Sequence, residues 1–183
     1  MSEGKSSDHI GGTNFMQGSS HHNPAPVGVT IKTTVERGDA YFTPRLYELA
    51  ITLLEVVRGK DAVERIKAQG ISDKPPETGF EYILARINCG YFYKVRGFDD
   101  EYRLTEGQFV AVSADGRTEY EIPSILQQPQ PQIIGWVFHP GESREGWIIF
   151  KVPEDDKRPL LVFKREHVEG VYGRWRYVWF QLY

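Results

Sequence analysis

From Val29 to Leu182, apolar residues return at every second position in run after run, and one stretch abandons that period. A spacing of two places alternate side chains on opposite faces of an extended strand, so the chain is committed to sheets. Nine runs qualify: Val29–Val35, Leu46–Val57, Phe80–Tyr93, Gln108–Val112, Thr118–Ile122, Ile133–Phe138, Gly146–Val152, Leu160–Phe163 and Tyr177–Leu182. In the second, Leu49, Ile51 and Leu53 share a face. In the third, Ile83, Ala85, Ile87 and Cys89 oppose Tyr82, Leu84 and Arg86, and Gly90 is placed for a bulge. Ala114-Asp115-Gly116 predicts a hairpin between Gln108–Val112 and Thr118–Ile122. Pro75-Pro76-Glu77-Thr78-Gly79 and the Gln/Pro run Gln127–Gln132 mark loops. The exception is Lys60–Gln69, where Ala62, Val63 and Ile66 take helical spacing and Gly70 supplies a stop. A parallel α/β sheet needs a helix between most strands. These elements therefore predict an all-β antiparallel sandwich with one short helix in a loop.

Residues 1–22 belong to none of these runs. Ser, Gly and His dominate there, and Ile10, Phe15 and Met16 are the large apolar residues. So little apolar surface does not offset the entropy of ordering, so the expectation is a disordered tail over 1–22 and one domain over 23–183. No basic stretch followed by an apolar run, the pattern of a signal peptide, stands in this segment. No run of about 18 apolar residues long enough to span a membrane is present. Twenty-two Lys and Arg against 25 Asp and Glu leave a net charge of −3. That balance disfavours nucleic acid as a partner, since its phosphates repel an acidic surface.

The chemistry-bearing residues do not assemble into a catalytic or metal-binding pattern. One cysteine, Cys89, excludes an intrachain disulfide and a cysteine-based metal cluster, and its place in a strand reads as a buried small hydrophobe. His21-His22 stand in the tail, and His139 and His167 lack partner ligands at metal spacing. The acidic groups Asp99-Asp100-Glu101 and Glu154-Asp155-Asp156 lack the regular spacing of a calcium loop and read as solvated turns. Neither Gly-x-Ser-x-Gly nor a glycine-rich phosphate loop is present. Arg37-Gly38-Asp39 matches an adhesive tripeptide that arises often by chance. The expectation is a protein without enzyme activity, metal or cofactor.

Aromatic residues carry more information. Four Trp, ten Tyr and ten Phe make the chain 13% aromatic. In Tyr172–Phe180 they interleave with arginines: alternation puts Trp175, Tyr177 and Trp179 on one face, and Arg174, Arg176, Val178 and Phe180 on the other. Such a row either packs a core or presents stacking platforms for a ligand. Trp136, Trp175, Tyr177 and Trp179 are the candidate ligand-binding residues, with a carbohydrate or a protein as partner.

The segments Asn23–Gly28, Gly59-Lys60-Asp61-Ala62, Glu81–Ile87, Pro140–Pro153 and Pro159–Phe163 stand in an order that resembles a family of bacterial immunoglobulin-like domains. Such domains occur on secreted proteins and lipoproteins, and a mycobacterial immunoprotective extracellular antigen is similar to them. The resemblance implies an immunoglobulin-like sandwich at the cell envelope or outside the cell, and it implies no catalytic residues. The expected function is a non-enzymatic binding or interaction module that meets its ligand at end loops or an exposed sheet face. The alternative is a structural spacer, or a homo-oligomer that pairs through an edge strand. The most specific segment is physically readable. Pro140-Gly141 turns the chain, Trp147, Ile149 and Lys151 alternate with Ile148, Phe150 and Val152, and Pro153 stops the strand.

Overall fold

The computed structural model describes residues 17–37, 45–71, 75–95, 99–105, 107–123, 128–165 and 177–183. The longest alternating runs form the larger layer. β1 (Thr30–Arg37), β2 (Arg45–Arg58), β3 (Phe80–Tyr93) and β7 (Glu142–Pro153) make a four-stranded antiparallel sheet in the order β1-β2-β3-β7. Facing it are β5 (Phe109–Val112), β8 (Leu160–Lys164) and β9 (Tyr177–Gln181), in the order β5-β8-β9. β4 (Tyr102–Arg103) and β6 (Val137–Phe138) form a short pair, with Tyr102 and Phe138 buried in the same core.

One apolar interior joins the two sheets. Leu49, Ile51 and Leu53 of β2, Ile83, Ala85 and Ile87 of β3, and Phe150 of β7 pack against Phe109, Leu161, Phe163 and Phe180. Full burial of each large side chain contributes about 1.5–3 kcal/mol, and this cluster is the main source of stability. The sandwich is therefore the antiparallel β class expected. Four strands facing three is the layering of a constant-type immunoglobulin domain. Here three strands precede the first crossing between sheets and one long strand follows it, where the constant type has two and two.

The four-stranded sheet is apolar on both faces. Tyr82, Leu84, Trp147 and Ile149 point away from the interior and are covered by α1 (Gly59–Ala68) through Ala62 and Ile66, four residues apart on one helical face. This explains why β3 and β7 read as nearly continuous apolar runs. Asp61 in the first turn and Arg65 and Lys67 in the last complement the helix dipole. Gly70, with φ +70°, ends the element as its position predicts.

Three expectations need correction. Gly90 is not a bulge: register runs through it on both sides, and the irregularity lies between Leu53 and Glu55 of β2. Gly90 instead makes room, because a Cβ there would stand 2.5 Å from the Phe92 ring. Thr118–Ile122 returns toward β5 as a single bridge, Val112 with Glu119, rather than as a strand. The segment divides its backbone bonds: the Tyr120 N–H donates to Ala111 of β5, and Glu121 accepts from Lys151 of β7. Ile133–Phe138 is strand only at Val137–Phe138, since Gly135 adopts φ +89° and breaks the extended run.

Of the expected tail, residues 1–16 lie outside the described residues. Residues 17–22 are tied to the sandwich. Gly18 accepts a hydrogen bond from the Trp179 N–H (2.9 Å) and donates to Asn23 (2.7 Å), and Ala25 bridges Phe180 in parallel.

Candidate functional site

β9 splits its side chains as the alternation requires. Val178 and Phe180 enter the interior, while Tyr177 and Trp179 face outward. Trp179 lies on a second apolar cluster made by Val110, Val112, Leu160 and Val162 on the outer face of the three-stranded sheet. Its backbone is held on the edge of β9: its N–H donates to Gly18 and its carbonyl accepts from Ala25 (2.8 Å). Tyr177 meets its ring edge-on at 6.1 Å and is 39% exposed, and His21 lies 5.7 Å from it. The remaining space is set by Gly116 in the turn after β5. Its φ is +71°, and a Cβ there would stand 3.1 Å from the Trp179 ring and 3.3 Å from His21.

Beside this platform is a cavity of about 260 Å³, walled by His21, His22, Pro24, Leu160, Arg158 and Tyr183. The Arg158 guanidinium donates to the Tyr183 hydroxyl (2.9 Å) and lies 4.9 Å from the centre of that ring. The hydrogen bond to the Tyr183 hydroxyl holds Arg158 above its ordinary pKa. The His21 and His22 rings are 3.8 Å apart, tilted by 41°. The described walls carry one guanidinium, two imidazoles and a phenol, and no carboxylate side chain. That set donates hydrogen bonds and attracts negative charge.

The candidate residues do not gather in one place. Trp136 packs against the central core with the Arg144 guanidinium 5.1 Å over its ring, in a different layer from Trp179. Trp175 lies outside the described residues, as do Arg174 and Arg176. Tyr177 and Trp179 are together. His21, His22, Arg158 and Tyr183 come together only in the folded chain. Their separation along the chain leaves no local signal, and only the docking of residues 17–25 on β9 joins them.

Other candidate groups are accounted for by structure. Cys89 is fully buried, and burial pushes its thiol up to about 12, which keeps it a thiol. Asp100, read as a solvated turn residue, is clasped instead. Arg45 donates to both of its oxygens (2.5 and 2.8 Å), and the Tyr47 hydroxyl donates at 2.6 Å. Burial opposes its charge, but the Tyr47 hydroxyl and the Arg45 guanidinium outweigh burial and hold the carboxyl below its usual value. Asp156 likewise accepts from the Tyr120 hydroxyl (2.7 Å) and the Arg158 backbone N–H (3.0 Å). Among the described residues no three His, Cys, Asp or Glu side chains are placed to hold a metal ion. No described helix is long and apolar enough to cross a membrane.

A larger open groove, about 690 Å³, runs between α1 and Pro75–Glu81. Its walls mix Lys60, Lys67 and Lys157 with Glu64, Glu77, Glu81 and Glu154, so the two signs nearly cancel, with one carboxylate in excess. Its aromatic, Phe80, has the Lys151 ammonium 5.1 Å from the ring centre.

Fold and site together define an antiparallel β-sandwich with a half-open aromatic platform on its smaller sheet. Among solved structures the chain is similar to MPT63, a secreted protein from Mycobacterium tuberculosis, with 15% identity and a TM-score of 0.48. The match covers 81% of this chain and 92% of that one. No family model and no curated protein matches the chain.

Proposed function

We propose that the chain is a non-enzymatic binding module of the cell surface or the extracellular space. Its ligand stacks on Trp179 and places an anionic group against Arg158. The observation that carries this reading is the juxtaposition of a half-open tryptophan, held by its backbone on the edge of β9, with a cavity whose described side chains donate hydrogen bonds and include no carboxylate. A sugar ring offers an apolar face for stacking and hydroxyls for hydrogen bonds, so an acidic saccharide uses both halves of the site. Drug-sized pockets run from about 300 Å³ upward, so this cavity takes one ring or one acidic substituent of a longer chain. The extracellular location is supported by the resemblance of residues 23–163 to domains of secreted proteins and lipoproteins.

The test is titration of the full chain with acidic and neutral oligosaccharides, followed by calorimetry and by tryptophan fluorescence. Acidic saccharides are expected to bind, and Arg158→Gln and Trp179→Ala are each expected to weaken binding by about tenfold or more, roughly one charge-assisted hydrogen bond or one stacked ring. Binding that both variants leave unchanged, or no binding by either sugar class, contradicts the proposal.

A further inference from the structure

Among the described residues, three of the four outer sheet edges are taken up by backbone hydrogen bonds to other segments. β9 is covered by Gly18 and Ala25, β5 by Thr118–Tyr120, and β7 by Glu121, Pro131 and Ile133. β1 is the exception. The ladder shows which of its groups point outward. Leu53 of β2 accepts from the Gly28 N–H just ahead of β1, while Leu46 accepts from Lys94 just beyond β3. Odd-numbered residues from Tyr47 to Leu53 therefore bond toward β1, where their partners are Val35, Thr33 and Ile31. Thr30, Lys32, Thr34 and Glu36 aim their N–H and C=O groups away from the sheet. One described group reaches that row: the Arg165 guanidinium, which donates to the Thr34 carbonyl.

We propose that this edge pairs with the same edge of a second copy of the chain, antiparallel, with Thr34 opposite Thr34. The strand is self-complementary in that register and in no other that uses the outward groups. Lys32 comes opposite Glu36 of the second copy, and Glu36 opposite its Lys32, so two ion pairs flank the two-fold axis. Sliding by two residues sets Lys32 against Thr34 in one direction and Glu36 against Thr34 in the other, so both ion pairs are lost, and sliding by four sets Lys32 against Lys32 or Glu36 against Glu36. Opposite charges placed directly across a strand pair stabilise it, and like charges oppose it. Lys32, Thr34 and Glu36 stand on the solvent side, so pairing continues the four-stranded sheets of both copies without disturbing either core. The second copy's Thr34 N–H takes the place of Arg165 at the Thr34 carbonyl. A strand pair buries less surface than a standard stable interface, so the dimer is weak and concentration-dependent. The inference is independent of the Trp179 face, which lies on the other sheet.

Sedimentation velocity of the full chain from micromolar to millimolar concentration tests it. The expected result is a shift from monomer to dimer across that range. Thr34→Pro removes an outward N–H without removing a bond inside the sheet, and it is expected to weaken the dimer at least about tenfold with no loss of far-ultraviolet dichroism. Lys32→Glu and Glu36→Lys, each alone, are expected to remain monomeric. An equimolar mixture of these two variants is expected to recover the dimer, because each then presents the charges the other lacks. A wild-type chain that stays monomeric throughout overturns the proposal. So does a dimer that is indifferent to Thr34→Pro, or a mixture that fails to recover pairing.

Discussion

Each sheet of the sandwich carries a tryptophan on its outer face, and the two have opposite fates. Trp147 of β7 lies under α1 and is 8% exposed. Two guanidiniums close over it, Arg65 at 4.9 Å and Arg86 at 5.9 Å, and Glu55 holds both (2.7 and 3.3 Å). Trp179 of β9 lies over a comparable row of valines and a leucine, but a histidine and a tyrosine stand beside it, no described helix covers it, and a cavity opens next to it. The residue type and the alternating pattern are the same. What decides between core and site is whether a later element arrives to cover the face.

The sharpest way to break this comparison is to truncate both rings. Trp147→Ala is expected to cost about 3–5 kcal/mol, the range for a buried aromatic, and to lower the midpoint of denaturant unfolding accordingly. Trp179→Ala is expected to cost roughly half as much, since part of the ring is already in contact with water. Equal losses measured by urea unfolding would mean that the two faces are equally closed.

The larger sheet is also locked at its far end, where Arg45 and Tyr47 hold Asp100. Asp100→Asn is expected to cost about 1–3 kcal/mol at neutral pH. The sign with pH follows from the lowered pKa. The clasp is fully present above the ordinary carboxylate value of about 4 and is lost as pH falls through that value toward the folded-state pKa. Unfolding midpoints measured across acid pH should therefore fall less steeply for Asp100→Asn than for the unaltered chain. Parallel slopes would contradict the clasp.

Gly116→Ala probes the open side with a smaller effect. The added methyl meets Trp179 and His21 in a left-handed backbone conformation, with an expected cost of about 1–2 kcal/mol and an altered Trp179 emission. His21→Ala is the mildest. Stability is expected to stay within about 0.5 kcal/mol, while Trp179 emission shifts to the red as water reaches the ring. An unchanged spectrum would remove His21 from the site.

Much of the fold was legible because its long strands are governed by one local rule. Phe80–Tyr93 begins and ends where its alternation does, and Leu49, Ile51 and Leu53 face the core together. Alternation failed where backbone bonds are shared between two partners, as at Thr118–Ile122, and where two residues suffice for a strand, as at Tyr102–Arg103. The site was half legible. Tyr177 and Trp179 follow from alternation along β9, but a row of aromatics does not say which side another element will cover. Trp136 was grouped with them by residue type alone. His21 and His22 lie in a segment too polar to form a core of its own, and they are placed by three backbone bonds between Gly18, Ala25 and β9 that a polar sequence does not announce.

The most direct test of the central claim is acrylamide quenching of two variants, one retaining only Trp147 and the other only Trp179, with the remaining tryptophans changed to phenylalanine. Trp179 is expected to be quenched several-fold faster than Trp147, and a bound acidic saccharide is expected to shield Trp179 alone. Slow quenching of both rings, unchanged by any saccharide, would show that the smaller sheet is as closed as the larger and would contradict the account.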